Sequence, residues 1–345
     1  MKKHLNTLFI TTDGTYLHQD GAAVEVRRQG EALIRVPLLN LDGISCFGWN
    51  ITASAALMSA CAQNNVSLSF HTPHGRFLAA VNGFTSGNIR LRRAQYRLAD
   101  DPAGALRVAC HCIGAKIANA RIVVQRALRD HADSLTEETP EMERVIAQLG
   151  RYALLSQSAT DLDSLRGIEG EAAAAYFGTF NALIRAGEDF RMDGRNRRPP
   201  IDPVNALLSF VYMLLMHDCR SALESNGLDA QCGFLHRDRP GRPSLALDLM
   251  EEFRPFLADR LVLSLINRKQ VARGDFSCEP AGAVLLKEDA RKKVITAWQE
   301  RKQEELQHPF LQEKCTVGAL PYVQSLLLAR YLRGDIDAYP AFLWR

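Results

Sequence analysis

The residue types that could do chemistry are concentrated in one stretch, 233–255, which reads GFLHRDRPGRPSLALDLMEEFRP. His236 comes first, then a basic Pro/Gly loop with Arg237, Arg239 and Arg242, then a helical run. Asp248 and Glu251 are three residues apart, so on a helix they share a face, and Arg254 continues it. Ser244 is placed to cap this helix, its hydroxyl taking an amide proton of the first turn. Leu245, Leu247, Leu249 and Met250 surround the acids, so the helix is expected to be mostly buried and its acids to need cations. Glu252 falls on another face and reads as a solvated acid. A further acid stands earlier, in Gly167-Ile168-Glu169-Gly170, where Glu169 shares a helical side with Leu165, Ala172 and Tyr176. An acid in such apolar company needs a partner. Each flanking glycine costs a helix about 1 kcal/mol relative to alanine, which makes sense where another backbone or a substrate must approach.

Glu169, His236 and an acid at 248 or 251 make a mixed nitrogen and oxygen donor set. Such a set suits Mg²⁺ or Mn²⁺ better than zinc, which prefers thiolates or several imidazoles. A divalent ion ringed by arginines is suited to work on phosphate. Competing chemistries lack their residues: the chain has no G-x-x-x-x-G-K-[ST] loop and no G-x-S-x-G turn. Cys110-His111-Cys112 lies inside a helical apolar pattern with no second ligand pair nearby, so it reads as core and not as a zinc site.

The net charge of +3 over 345 residues, with 47% hydrophobic and 23% charged residues, describes an ordinary globular protein. The distribution of charge says more. Arg90, Arg92, Arg93 and Arg97 form one cluster, and Arg191, Arg195, Arg197 and Arg198 another. Loop 237–242 is a third, and Lys287, Arg291, Lys292 and Lys293 a fourth. Local clusters beside a metal site favour a polyanionic partner held along a track. None of the eight cysteines forms a C-x-x-C pair, and they read as buried thiols of a reducing cytoplasm. The apolar run near the N-terminus is cut by Thr11, Thr12 and Asp13, too early for a signal peptide or a span. No membrane segment and a cytoplasmic location are expected.

The elements that must position these groups change character along the chain. The length exceeds what one core usually supports, so two domains are expected. Residues 5–46 read as short strands punctuated by Asp13-Gly14, Asp20-Gly21, Gln29-Gly30 and Asp42-Gly43. A short helical segment spans 50–64, and two more strands flank the turn at 71–75. From Pro102 the period shifts to near 3.6, predicting a helix to about Asp130. A linker follows at 136–140, then a helix capped by Asp161 or Ser164 and running to about 184. After a Gly/Arg/Pro-rich loop at 187–203, a helix starts at Asp202-Pro203 and closes near Gly227. The helix from Ser244 comes next, with further helices over 254–268, 282–306 and 319–333. The expected fold is a small β-rich N-terminal domain, 1–95, followed by a larger all-α catalytic domain, 102–345.

Taken together, these stretches resemble the CRISPR-associated spacer integrases, the metal-dependent nuclease-integrase family of CRISPR adaptation. The likeness rests on the strand-rich beginning, the Gly-Ile-Glu-Gly around Glu169, Tyr176, and RNRRPPIDPVNALLSFVY with Asn205. It continues through GFLH ending at His236, SLALDLMEEFRP, and a late Lys/Arg-bearing helix. The wording of 233–255 looks most like the type I-C branch. The resemblance implies Glu169, His236 and Glu251 as metal ligands, with Asp248 a nearby acid needed for activity and Arg254 at a basic position of the family. The third ligand is an aspartate in some members, so Asp248 stays open as a rival to Glu251. The implied reaction is attack of a DNA 3′-hydroxyl on a phosphodiester, inserting spacer DNA into a CRISPR array for antiviral defence; with water as the nucleophile the same site is an endonuclease. Arg254, Arg237, Arg239, Arg242, Arg195, Arg197 and Arg198 are expected to hold DNA phosphates, with Tyr176 and Asn205 in support. The resemblance also implies a homodimer joined through the N-terminal domain. A small companion CRISPR-associated protein would bridge two such dimers into a heterohexamer that acts on spacer-precursor DNA and the repeat and leader. The residues alone leave two other readings open. One is a non-catalytic nucleic-acid-binding scaffold whose acids pair with arginines; the other is a small-molecule metallohydrolase.

Overall fold

Alternating apolar residues between turn-forming dipeptides fold the first part of the chain into two sheets. The computed structural model describes residues 7–344 apart from 65, 74–76, 82–88, 132–134, 136, 186–188, 197–198 and 281. Arg197, Arg198 and part of the expected turn at 71–75 therefore lie outside the described residues. The strands are β1 (Thr7–Ile10), β2 (Thr15–Asp20), β3 (Ala23–Arg28), β4 (Glu31–Pro37), β5 (Gly43–Phe47) and β6 (Thr52–Ala53). Helix α1 (Ala55–Gln63) and strands β7 (Ser67–His71) and β8 (Phe77–Val81) follow. One sheet has the order β4-β3-β2-β6. The other has the order β1-β5-β7-β8, parallel except for its last pair. Gly21 turns the chain between β2 and β3 at φ +58°, a conformation that glycine reaches without a Cβ penalty. Leu17, Val24, Ile44, Leu57 and Leu68 are fully buried in the core that the sheets and α1 enclose.

The 3.6-residue period takes over before residue 102. Helix α2 (Ile89–Asp100) was not expected, because its run of arginines hides a narrow inward stripe of Leu91 and Gln95. Gln95 anchors it by donating to the carbonyls of Asp229 and Cys232 at 2.8 Å. The long helix α3 (Pro102–Asp130) has the expected bounds, with Asp101 as its cap. It is followed by α4 (Thr139–Gln157), α5 (Leu162–Gly178), α6 (Pro203–Ser225), α7 (Ser244–Glu251) and α8 (Arg260–Asn267). Helix α5 stops short of residue 184, giving way to a 3₁₀ turn at Phe180–Leu183. A π-helical segment, Arg254–Asp259, joins α7 to α8. By length and hydropathy α6 could cross a membrane, but more than half of it is buried within the protein. Val204, Leu207, Leu208, Val211, Leu215 and Cys219 make it a core helix.

Two short hairpins correct the expectation of an all-α second part. Strand β9 (Phe276–Cys278) pairs with β10 (Val284–Leu286), and β11 (Glu305–Gln307) pairs with β12 (Lys314–Thr316). The helix expected over 282–306 is therefore α9 (Glu288–Gln303), and α10 (Leu320–Arg333) closes the series. A three-residue apolar run carries no period, so Val284-Leu285-Leu286 could not be told from a helix start until its partner strand was placed. Described residues up to 87 gather with 288–302 into one compact unit, and 88–287 with 303–345 into another. The second is mostly helical and carries all the candidate site residues. The eight cysteines are free thiols; six are buried, Cys232 is half-buried and Cys278 exposed.

Candidate active site

Three helices and one loop of the second unit bring the predicted chemistry together. Asp161 caps α5, accepting from the Ser164 amide at 2.8 Å, and so sets the phase in which Glu169 emerges, half-buried. Gly167 and Gly170 face open space, since a Cβ on either would meet nothing within 4 Å. Among the described residues none requires them to be glycine, and they leave the approach to Glu169 clear.

The loop before α7 presents His236, and its shape is held by a single carboxylate. Asp248 accepts from the amides of Phe234, Leu235 and His236 at 2.6, 3.0 and 3.0 Å, and from His236 Nδ1 at 2.5 Å. Gly233 is required here because a Cβ would stand 2.8 Å from Asp248 Oδ2 and from Ser244 Cβ. A carboxylate on Nδ1 places the ring proton there and leaves the Nε2 lone pair free. Nε2 faces the other acid of the same helix, 3.9 Å from Glu251 Oε1. The two acids of α7 thus share a face as their spacing predicted, Asp248 bonded to one nitrogen of the imidazole and Glu251 facing the other. Asp248 is buried and its oxygens are occupied by protein donors; Glu251 is buried and surrounded by cations.

The central cation is one that sequence reasoning missed. Lys116 of α3 reaches Glu169 with its ammonium and stands 2.8 Å from Glu251 Oε2. Arg254 Nη1 is 3.1 Å from Glu251 Oε1. Burial raises the Glu251 carboxyl, but Arg254 and Lys116 outweigh it and hold the pKa at about 2. Lys116 and Arg254 are both kept charged by these acids against the cost of burial. The signal in the sequence was a lysine between Ala115 and Ile117 in the apolar pattern of a helix, a place that demands an acid partner. Among the described residues no three His, Cys, Asp or Glu side chains stand together at metal-coordinating spacing. Glu169 meets Glu251 through the Lys116 ammonium.

The arginines divide into two sets. Arg237 and Arg239 are exposed and Arg242 half-buried on the loop before α7; Arg237 reaches Asp163 at 2.9 Å. Arg195 turns inward, donating to Asn205 Oδ1 at 2.6 Å and lying over the Tyr212 ring. Asn205 is a buried clasp for the preceding loop, since its Nδ2 donates to the Gly194 carbonyl and to Asp202. Arg254 also lies over the Tyr212 ring, 4.8 Å from its centroid. Beyond Glu169 and Lys116 opens a cavity of about 550 Å³, lined by Tyr176, Tyr212, Arg195, Arg254 and Asp259 among others. Tyr212 donates to Asp259 at 2.6 Å, and burial lifts the Asp259 carboxyl to about 6. Tyr176 is therefore buried in the wall of this cavity.

Two sequence expectations are overturned. Ser244 is the first residue of α7 and does not cap it; its hydroxyl donates to the Arg237 carbonyl at 3.4 Å, tying the helix start to the basic loop. Glu252 is fully buried and not solvated. It accepts from the Tyr339 hydroxyl at 2.5 Å, the Phe342 amide at 2.7 Å and Gln324 at 3.0 Å. Burial carries its pKa up to about 7 against these donors. The segment that covers it lies about ninety residues later in the chain, beyond the reach of helix periodicity. Cys112 also donates to Glu252, so the Cys-His-Cys run is core, as expected.

Comparison with known proteins adds four findings. The family described as CRISPR associated protein Cas1 matches residues 8–300. The CRISPR-associated endonuclease Cas1 of Chlorobaculum tepidum is 54% identical over 347 residues, covering all of both chains. Among solved structures, a casposase bound to integration product superposes with a TM-score of 0.82 at 23% identity, covering 99% of this chain and 95% of its own. A chain of a Cas6-RT-Cas1–Cas2 complex gives 0.81 at 24% identity, covering 99% of this chain and 36% of its own. These two likenesses are of fold.

Proposed function

The chain belongs to the Cas1 family of CRISPR-associated proteins, and from that premise we propose how its residues serve a DNA endonuclease and integrase of the adaptation stage of CRISPR immunity. The observation that carries the reading is the imidazole of His236, held at Nδ1 by Asp248 and turned at Nε2 toward Glu251, which shares a cation with Glu169. A histidine fixed by a carboxylate on one nitrogen and open on the other is the usual preparation of a metal-ligating imidazole. Glu169, His236 and Glu251 would hold the ion, and two carboxylates with one imidazole suit Mg²⁺ or Mn²⁺. When bound, the ion supplies Lewis acidity to a phosphoryl oxygen and lowers the pKa of an attacking hydroxyl. Asp248 is a positioning residue, because its oxygens are already taken by three amides and the ring.

The remaining residues act on the DNA strand. Arg254 and Lys116 sit against the ligating acids and stabilise charge that gathers on a phosphate there. Arg237, Arg239 and Arg242 form an outer track for phosphates before α7; Arg197 and Arg198 are expected to hold phosphates as well. Arg195 faces the cavity, with Asn205 fixing its loop and Tyr176 forming the wall. Residues 1–95 would carry the homodimer contact and 102–345 the catalysis. A Cas2-type companion would join two dimers into a heterohexamer on spacer-precursor DNA and the repeat, in the cytoplasm, and the wording of 233–255 favours a type I-C system.

The test is an integration assay with purified companion and labelled DNA ends in Mn²⁺. Glu169→Ala and His236→Ala are expected to abolish both integration and cutting while leaving the fold intact. Activity at the parent rate in either variant would sink the assignment. The pairing of Glu251 with Arg254 and Lys116 is what a non-catalytic scaffold would also display. Calorimetric titration separates the two, since a scaffold takes up no Mn²⁺.

A further inference from the structure

Lys116 has no part in the donor set, yet it stands at its centre. Its buried ammonium contacts Glu169 and lies 2.8 Å from Glu251, while Arg254 is 3.1 Å from the other oxygen of Glu251. Two carboxylates therefore face two cations. Asp248 is matched separately, by three amide dipoles and the imidazole. Beyond them, the buried Asp259 accepts from Tyr212 and lies in the field of Arg254 and Arg195. The side chains of the site are thus close to balanced in charge by themselves. A divalent ion received by Glu169, His236 and Glu251 adds two positive charges beside a buried ammonium that already holds two of those ligands. In a buried setting that repulsion is weakly screened. Negative charge from outside the protein can offset it, and neighbouring phosphates of a DNA strand bring it to the same place.

We propose that Lys116 couples the ion to the nucleic acid: it lowers ion affinity in the protein alone and, by opposing the added charge, makes the ion and the DNA phosphates bind together. The coupling is reciprocal, so the ion also strengthens the hold on DNA. The ammonium keeps Glu169 and Glu251 gathered, and when an ion takes those acids it is left to meet phosphate. The inference rests on the ion-binding role given above to Glu169, His236 and Glu251.

The experiment is Mn²⁺ binding, followed by calorimetry and by the Mn²⁺ electron paramagnetic resonance signal. Each protein is measured with and without a duplex whose 3′ ends lack the hydroxyl, which blocks integration, and a gel run after each measurement confirms that the duplex is uncut. In the parent protein, DNA is expected to tighten the Mn²⁺ site about tenfold or more, within the usual range of coupling between sites. Lys116→Met is expected to bind Mn²⁺ about tenfold more tightly without DNA and to lose most of the coupling. Lys116→Arg, which keeps the charge, is expected to resemble the parent. Equal Mn²⁺ affinity with and without DNA in the parent overturns the proposal, and that arm does not depend on any variant folding. Lys116→Met with parental affinity and coupling overturns it as well. His236→Ala supplies the background: if it retains the parental Mn²⁺ site, the ion-binding assignment itself fails, a result distinct from an intact site indifferent to Lys116.

Discussion

Replacing Asp248 by asparagine separates the two acids of α7 more sharply than any other change. Asp248 receives four donors: Oδ2 takes the amides of Phe234 and Leu235, and Oδ1 takes the amide and Nδ1 of His236. Asparagine has one acceptor oxygen and one NH₂ group. In either orientation the NH₂ confronts two groups that formerly donated. With NH₂ toward Phe234 and Leu235, two buried amides lose their acceptor. With NH₂ toward His236, the ring must take the other tautomer, its proton moves to Nε2, and that nitrogen can no longer ligate. Each stranded donor costs about 1–3 kcal/mol, so the variant is expected to lose about 4 kcal/mol. For a unit of this size that lowers the unfolding midpoint by about 10 °C. Thermal unfolding in chelator and Mn²⁺ calorimetry measure the two effects. Asp248→Asn is expected to lose stability and to weaken Mn²⁺ about 10–100-fold, the usual penalty for losing such an outer partner. Glu251→Gln is expected to lose Mn²⁺ binding altogether. If Asp248→Asn unfolds at the parental temperature and still fails to bind Mn²⁺, Asp248 is itself the ligand and the division of roles is wrong.

Three further expectations follow from the geometry. His71 is buried between Phe47 and Phe77, and burial lowers its pKa to about 4. The unfolded chain therefore takes up this proton first as pH falls, and its contribution to stability, full above about pH 6.5, declines by about 3 kcal/mol towards pH 4. Urea unfolding at pH 7 and 4.5 checks the sign: His71→Phe should lose less stability over that interval than the parent, and an equal loss would refute it. Tyr339→Phe removes a hydroxyl that donates to the buried Glu252 at 2.5 Å and is expected to cost about 2 kcal/mol at neutral pH; a cost below about 0.5 kcal/mol in urea unfolding would show that the bond adds little. Native protein treated with a thiol reagent should modify Cys278 within the mixing time and the other seven cysteines only on unfolding, with half-buried Cys232 protected further by a pKa pushed up to about 12. Mass spectrometry locates the label.

Much of the local order could be read from the chain. Turn dipeptides marked the strands, and a change of period marked α3, whose Asp101 cap came only with the structure. The i, i+3 spacing put Asp248 and Glu251 on one face of α7, because that relation depends only on helix geometry. The same reasoning failed where a neighbour decided the outcome. Glu252 looked solvated because it lay off the face of its own helix, but the C-terminal segment covers that side. Helix α2 was obscured by arginines whose hydrophobic stripe is only Leu91 and the tethered Gln95. Ser244 had the residue type of a cap, but the loop before it uses its hydroxyl for another bond.

By itself, then, the sequence determined which groups were available, on which elements, and with what family likeness: Glu169, His236, Asp248 and Glu251 with arginines around them. What only the tertiary structure decided was how those groups divide the work. Asp248 serves the loop and the imidazole, while Glu251 and Glu169 share a lysine contributed by α3, more than fifty residues before the first of them. The physical reason is range. Propensity and periodicity act over a turn or two of chain, whereas the pairing of buried charges is settled by which helices pack together, and a lone lysine in an apolar pattern does not say which acids it will meet.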